Sequence, residues 1–382
     1  MKHVLLGSTA LVAAGLMAGT AAAEEPVKLG IQGFYQAAIG GNINEDADYD
    51  DDFRSHSVET NGEIRFHGET TLDNGLTVGA RIELEAFDSD DQFDQAYAFI
   101  SGGFGEVRLG DTLEALSQMC YLAPQAGNLF GADSPNFNFA NAGVAGYGAT
   151  NGTCYGLAGQ TSSIIYFSPN FGGFSFAASY APEASDTVGG GVGNLGAGRA
   201  STEFDNNAGQ LENMFSVAAS FVQDFNGFSL AVGGGATFAG REAAPVGGPD
   251  GTEDYNAYLN VGFGGWTVGG AFELTDDYLS SLDSADRWVA SVGTTYNWDA
   301  WTVGLTWSHG EYEGVGAAGA SDEDRYDVIQ FTGAYALGPG INLEGMVGYA
   351  DYNDDNDDNL TVGVDDGDYD AIEIGTGIHI GF

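Results

Sequence analysis

Basic residues are scarce in this sequence. Ten lysines and arginines stand against 55 aspartates and glutamates, and the formal net charge is −45. Nucleic-acid binding requires a basic surface, so this imbalance excludes a nucleic acid as partner. Disorder is the usual expectation for so charged a chain, but 12% aromatic and 43% hydrophobic residues argue against it. The sequence therefore indicates a folded, acidic protein.

Long hydrophobic runs are also missing. Beyond residue 23, no stretch approaches the ~20 apolar residues of a membrane-spanning helix. Residues 1–23 contain Lys2 and His3, then a short apolar run, then three alanines that end at Ala23, which is the pattern of a secretory signal peptide. A short membrane anchor is the alternative, and the brevity of the run disfavours it. We predict cleavage after Ala23 and one exported domain over residues 24–382.

Cysteine is nearly absent, since the chain has only Cys120 and Cys154. Export places both in an oxidising compartment, so we predict one disulfide between them. On the chain-entropy model, closing this loop stabilises the fold by roughly 4 kcal/mol. Two free thiols are the alternative.

Histidines are few, and most of them are scattered along the chain. Those outside the predicted signal peptide are His56, His67, His309 and His379. None has metal-binding spacing to another histidine or to a cysteine, and no G-x-S-x-G nucleophile motif is present. We therefore predict that the protein is not an enzyme and requires no cofactor.

What the sequence does contain is an alternation of apolar and polar residues with a period of two. In "LTVGARIELEAF", Leu76, Val78 and Ile82 fall on one face, while Arg81 and Glu83 fall on the other. Such alternation predicts strands with one apolar face. We count sixteen of them, at 27–42, 57–72, 76–87, 93–101, 106–112, 161–168, 174–181, 213–223, 228–238, 254–263, 266–276, 286–297, 301–311, 326–336, 341–350 and 368–382.

The connections between these strands alternate in length. Tight Gly, Pro, Asn and Asp turns such as "LDNG" (72–75) and "NWDA" (297–300) are followed by long acidic segments such as 182–212. The fold class that fits is all-β, a closed antiparallel 16-stranded transmembrane β-barrel with short periplasmic turns and long extracellular loops. A soluble β-sandwich or an acidic β-solenoid is the alternative, and neither explains the alternating lengths. Aromatic residues near the turns fit an interfacial girdle: Phe171, Phe174, Trp266, Trp298 and Trp301.

The chain ends within a strand, "YDAIEIGTGIHIGF", on the aromatic residue Phe382. Chain termini are usually loose and polar. A last strand that pairs with the first closes a barrel and leaves no exposed edge. We therefore predict that Phe382 has a fixed place at the closing seam.

Three stretches resemble a known family, the sixteen-stranded general diffusion porins of Gram-negative bacteria, and in particular the alphaproteobacterial porins. They are the C-terminal strand ending at Phe382, "AYAFISGGFGEVRLGD" (96–111) and "IIYFSPNFGGFSFAASYAP" (164–182). The resemblance implies a homotrimer in the outer membrane, in contact with its lipid. It also implies that residues 113–160 form a third loop that folds into each barrel as a constriction. The terminal phenylalanine is similar to the signal that the barrel-insertion machinery recognises.

The resemblance further implies a transverse field at the constriction, with basic side chains on the wall facing acidic ones on the third loop. By strand parity, the basic residues expected on the wall are Arg65, Arg81, Arg108 and Lys28. Local pairing with neighbouring glutamates is the alternative for these arginines. The acidic candidates are Asp133, Glu114 and Glu83. The third loop has little acidic charge, which leaves the strength of this field open.

The acidic loops suggest cation binding. "DYNDDNDDNLTV" begins like an EF-hand, but Asn356 and Val362 stand where that motif needs glycine and glutamate, so the match fails. Loose binding of calcium or magnesium by carboxylates of this region is one interpretation, and a solvated charged loop is the other. The carboxylates concerned are Asp354, Asp355, Asp357, Asp358, Asp365 and Asp366.

Together these features predict passive diffusion of small hydrophilic solutes and ions through a water-filled pore that prefers cations. Two alternatives stay open. One is a substrate-selective channel for a sugar or a divalent cation, and loop aromatics that would suit a sugar are Tyr121, Phe130, Phe137, Phe139 and Tyr147. The other is a non-conducting structural or adhesive barrel.

Overall fold

The computed structural model describes residues 26–44, 55–86, 93–140, 152–157, 159–184, 210–242, 248–277, 286–315, 321–353 and 369–382. The predicted signal peptide lies outside these residues, as do the six loop carboxylates between Asp354 and Asp366 and the aromatic residue Tyr147.

Sixteen antiparallel strands form one sheet that closes on itself. Their bounds are β1 (Lys28–Asn44), β2 (His56–Thr71), β3 (Thr77–Glu85), β4 (Phe93–Gly102), β5 (Gly105–Thr112), β6 (Thr161–Phe167), β7 (Phe174–Glu183), β8 (Leu211–Phe225), β9 (Phe228–Arg241), β10 (Gly251–Phe263), β11 (Trp266–Asp276), β12 (Arg287–Trp298), β13 (Trp301–Val315), β14 (Ser321–Gly338), β15 (Ile341–Asn353) and β16 (Tyr369–Gly381). A short helix, α1 (Ala115–Gln118), lies between β5 and β6. The predicted fold class is confirmed.

Alternation along each strand separates an apolar outer face from a polar or small inner face. On β3, Ile82 faces outward and is 43% exposed, whereas its neighbour Glu83 faces inward and is fully buried. The outer face is apolar around the barrel, as Leu109, Leu305 and Val347 illustrate. An apolar outer face and a closed sheet are what a strand-built protein needs in lipid, because every backbone group is paired. Among the described residues, no helix has the length and apolar character required to cross a membrane.

The closing seam lies between β1 and β16, where Phe34 pairs with Gly381 and Tyr35 with Ile380. Two further backbone hydrogen bonds extend the seam to the last residue. Gly33 N donates to Phe382 O at 2.8 Å, and Phe382 N donates to Gly33 O at 3.0 Å. The predicted place of Phe382 at the seam is confirmed.

Tight turns collect at one end of the barrel, and aromatic rings surround them. The rings of Phe225 and Phe228 stack at 4.7 Å across one turn, and those of Trp298 and Trp301 at 6.3 Å across another. All five predicted girdle residues are exposed. Several strands extend further at the opposite end than predicted: β14 begins at Ser321 rather than 326, and β13 continues to Val315. Backbone hydrogen bonds between these strands continue at that end, although the alternation of apolar and polar residues from which the strands were predicted has already stopped.

Candidate functional site

The described parts of the third loop, residues 113–140, 152–157 and 159–160, lie against the inner wall of the barrel. Its first residues dock on the inner wall through backbone donors, because Ala115 N donates to Ser179 Oγ and Leu116 N to Ser216 Oγ, both at 3.0 Å. The next residues follow the wall from strand to strand. The contacts in chain order are Leu122 O with Asn260 Nδ2 of β10, Pro124 O with Thr306 Oγ1 of β13, and Ala126 N with Thr332 Oγ1 of β14. The loop therefore covers one side of the bore.

Two glutamates hold the tip of the loop. Glu344 Oε2 on β15 accepts hydrogen bonds from Asn128 N at 2.7 Å and Leu129 N at 2.8 Å. On β16, Glu373 Oε2 accepts bonds from the N–H groups of residues 139 and 140 at 3.2 and 3.1 Å. Each carboxylate thus accepts from two consecutive backbone donors. Those of Leu129, Phe139 and Ala140 belong to buried residues, where an unpaired donor is costly.

A buried ion pair holds the returning arm of the loop. Glu273 on β11 and Arg287 on β12 lie 3.2 Å apart, and their side chains are 1% and 4% exposed. Glu273 Oε2 accepts a hydrogen bond from Tyr155 N at 3.0 Å, and Arg287 Nη2 donates to Gly152 O at 3.1 Å. One wall pair therefore binds both a donor and an acceptor of the loop backbone.

The predicted disulfide between Cys120 and Cys154 is present, with the two Cα atoms 5.6 Å apart. It joins the outgoing and returning arms of the loop. Asp133 lies beside this junction and is fully buried. Its carboxylate accepts bonds from Thr153 N at 3.1 Å, Thr153 Oγ1 at 2.8 Å and Ala123 N at 3.3 Å. Burial raises the pKa of Asp133, and these hydrogen bonds act in the opposite direction.

The structure places the two acidic candidates of the loop, Asp133 and Glu114, differently from the sequence expectation, and it has the third, Glu83, on the wall. Asp133 faces the interior of the loop rather than the lumen. Glu114 is 3% exposed, accepts a bond from Leu157 N at 2.7 Å and contacts Thr237 Oγ1. Glu83 is on the wall, fully buried and paired with Arg81. Buried backbone donors of a folded loop need acceptors, and these carboxylates are used for that or for ion pairing.

The predicted basic residues Arg65, Arg81 and Arg108 stand on β2, β3 and β5, on the inner wall beside the third loop. Their side chains are 35%, 31% and 22% exposed. Each is paired with a carboxylate of its own strand: Arg65 with Glu63, Arg81 with Glu83, and Arg108 with Glu106 at 2.6 Å. Local pairing of these arginines with glutamates, which the sequence analysis considered as an alternative, is thus present. The three arginine side chains are also partly exposed to the lumen. We call these three residues the arginine row.

Arg108 is the most firmly held of the row. Its guanidinium lies 4.8 Å from the ring centroid of Tyr97 and 4.6 Å from that of Phe167. Nη1 also donates to Gln118 Oε1 of the loop at 2.7 Å. Lys28, by contrast, pairs in register with Glu69 towards the turn end of the barrel and is exposed. Arg65 and Arg81 thus share Glu83 between adjacent strands, Arg108 lies two strands further along the same wall, and Lys28 lies apart from all three.

Most of the loop aromatics considered for a sugar site are buried. Phe130, Phe137 and Phe139 are 1%, 6% and 5% exposed and pack with Ala38 and Met346. They form a small core that holds the loop against the wall. Tyr121, next to Cys120, is 46% exposed. Of the described candidates, Tyr121 is thus the aromatic residue that reaches solvent.

Sequence reasoning did not identify the wall residues Glu273, Arg287, Glu344 and Glu373 as partners of the loop. One signal was available, because strand parity places each of these charged residues on the inner face. Parity cannot show which inner residues are covered by the loop, since this depends on the path of the loop. Their burial is what distinguishes them from the arginine row.

Separating the two arms of the loop tests the role of the disulfide. Replacing both Cys120 and Cys154 with serine is expected to leave the barrel closed, because both residues lie in the loop. Loop docking should weaken by about 4 kcal/mol on the chain-entropy model. Single-channel recordings should show larger current fluctuations than the parent protein. Reductant should reproduce this in the parent and have no effect on the variant, and equally quiet recordings from both proteins would contradict the role.

Comparison with known proteins gives similar sequences and similar barrels. A chitoporin from Vibrio furnissii is 28% identical over 201 residues, which is 50% of each chain. A monosaccharide porin from Halomonas sp is 29% identical over 188 residues, which is 46% of this chain and 48% of the relative. The chain thus spans about half the length of these curated relatives. The solved anion-selective porin from Comamonas acidovorans has a TM-score of 0.60 at 17% identity, over 93% of this chain and 100% of the other.

The family model described as Gram-negative porin matches residues 7–356. That range includes the strands of the arginine row and the entire third loop. The assignment does not reach the alphaproteobacterial subgroup, which stays a prediction. The match and the closed barrel together show that the chain belongs to the Gram-negative porin family and resides in the outer membrane.

Proposed function

We propose that the protein is a passive channel that conducts small hydrophilic solutes and ions and prefers cations. The observation that carries this proposal is the inner wall beside the third loop, where exposed arginines alternate with the carboxylates that neutralise them. Charged groups in water at a narrow point filter solutes by size and by sign.

Local charge supports the preference for cations. Arg65 and Arg81 share their part of the wall with Glu63, Glu83 and Asp94, whose carboxylate oxygens lie within 4.8 Å of one another. Three carboxyl groups thus stand beside two guanidinium groups. The formal charge of the whole chain, −45, adds a negative potential around the mouth and lumen.

The proposal is tested by recording current through the purified protein in a planar bilayer with a potassium chloride gradient. Ohmic steps with a reversal potential displaced towards that of potassium are expected. A reversal potential near that of chloride would overturn the preference for cations. An absence of current from correctly folded protein would overturn the channel and favour a plugged or adhesive barrel.

We also propose that the channel is a homotrimer, on the grounds of the family resemblance. Conductance steps in groups of three and a trimeric mass in mild detergent are expected. A monomeric mass with single steps would contradict the trimer and leave the channel proposal intact. Insertion by the barrel-insertion machinery, guided by Phe382, and loose divalent binding by the acidic loop before β16 likewise stay proposals.

A sugar-selective channel is the second candidate function, and one observation favours it. Tyr121 and Tyr155 follow the two bonded cysteines directly and are 46% and 42% exposed. Exposed aromatic rings are suitable surfaces for the apolar faces of sugars. Two relatives are named for sugars, the chitoporin and the monosaccharide porin. Concentration-dependent block of the ion current by an oligosaccharide would support this candidate, and unaffected current would exclude it.

A further inference from the structure

One loop residue, Phe139, is held by the wall at its ring, its N–H and its carbonyl. The N–H donates to Glu373 Oε2 at 3.2 Å, and the carbonyl accepts a bond from Asn42 Nδ2 at 2.5 Å. The ring is 5% exposed and lies against two glycines, Gly40 on β1 and Gly375 on β16. We call Gly40, Asn42, Glu373 and Gly375 the tip socket.

The two glycines of the tip socket are needed because they lack side chains, not because they adopt an unusual backbone conformation. Neither has a positive φ, so the backbone at both positions suits any residue. A Cβ atom at Gly375 would lie 2.8 Å from Phe139 Cε2, and one at Gly40 would lie closer still. Any larger residue at either position would collide with the ring. The ring can therefore approach the wall because these positions lack side chains.

The two glycines are close neighbours across the closing seam, because Gly40 and Gly375 are directly paired. Glu373 is two residues away on the same inner face of β16, and Asn42 is two residues from Gly40 on β1 and pairs with Glu373. Four inner-face positions of two adjacent strands thus form one site around one residue of the loop.

From this geometry we infer that the tip socket is a positioning site that sets how far the third loop projects into the bore. The depth of the socket, fixed by the absence of side chains at Gly40 and Gly375, determines the free width beside the arginine row. This inference concerns the position of the loop rather than the selectivity or the solute of the channel. It rests on the proposed function only where conductance is the quantity measured.

The test is a Gly375→Val substitution. The added side chain displaces the Phe139 ring and moves the loop tip away from the wall, so single-channel conductance should fall by roughly a factor of two. Gly333→Val on β14 is the matched control. Gly333 faces outward, and a Cβ there meets nothing within 4 Å, so conductance should not change.

A second variant distinguishes displacement of the tip from general damage. Phe139→Ala combined with Gly375→Val removes the closer of the two rings that the added side chain meets and leaves Phe130 Cε1, 3.1 Å from the Cβ position, so conductance should rise part of the way from the reduced value. A reduced value that the second substitution does not raise would overturn the socket as the cause. Parent-like conductance of folded Gly375→Val would overturn the inference directly.

A chemical readout makes the inference independent of conduction. Ala140 is 3% exposed, and an Ala140→Cys thiol should react slowly with a hydrophilic maleimide in the folded, detergent-solubilised protein. Adding Gly375→Val should accelerate this labelling, whereas adding Gly333→Val should not. Equal labelling rates of Ala140→Cys with and without Gly375→Val would overturn the socket. This result does not depend on whether the protein conducts current. An absence of current in the bilayer experiment would contradict only the proposed function.

Discussion

Replacing Arg287 with alanine is expected to release the returning arm of the third loop and to cause a large loss of stability. The substitution removes the donor to Gly152 O and leaves Glu273 buried without its cation. Breaking a buried pair in this way typically costs about 3–5 kcal/mol, because an uncompensated charge remains in a low-dielectric site. The midpoint of thermal unfolding should fall, and channel recordings should show a wider and less steady pore.

The matched control is Arg325→Ala, since Arg325 is an exposed arginine of the neighbouring region on β14. Its loss should change the unfolding midpoint little, as for most exposed charges. Combining Glu273→Ala with Arg287→Ala should recover part of the stability, because no unpaired charge remains. A double variant less stable than the Arg287→Ala protein would contradict the interpretation of the pair.

Replacing both Arg65 and Arg81 with alanine is expected to give the largest change in ion selectivity. The carboxylates of Glu63, Glu83 and Asp94 then face the bore without an opposing cation. For an ion ~8 Å away in water, each removed charge lowers the energy of potassium and raises that of chloride by about 0.5 kcal/mol. Two removed charges therefore change the difference between the two ions by about 2 kcal/mol, so the permeability ratio of potassium to chloride should increase roughly thirtyfold. Reversal potentials in a potassium chloride gradient measure this ratio.

Lys28→Ala is the control for this pair of substitutions. It also removes a positive charge, but Lys28 lies at the level of Glu69, away from the strand positions of Arg65 and Arg81. Its loss should shift the reversal potential much less. Equal shifts from the Lys28 variant and the double arginine variant would show that net charge, rather than the arginine row, sets the selectivity.

The fold was largely predictable because each strand has its own local signal. Alternation with a period of two and tight turns with glycine identified all sixteen strands, including β16 and its closing partner β1. The inner and outer faces follow from parity, which by itself assigns Arg65, Arg81 and Arg108 to the inner face. These are statements about single strands and their direct neighbours, which the local sequence determines.

The acidic side of the site was not predictable in the same way. Asp133 and Glu114 are charged residues in a polar loop, and nothing in their local sequence shows that backbone donors will surround them. The same holds for Phe139, whose aromatic ring suited a sugar site as well as it suits a socket of two glycines. Burial of these residues depends on how the loop crosses the bore, and that path is fixed by contacts over hundreds of residues.

Those long-range contacts determine when the constriction can form. The loop follows β5, but its tip binds Glu344 and Glu373, which lie 216 and 234 residues further along the chain from Asn128 and Phe139. Contacts of such high sequence separation are formed late, because the chain between them must first be ordered. The tip socket does not exist until β16 has joined β1, so we expect the tip of the loop to dock only after the barrel has closed.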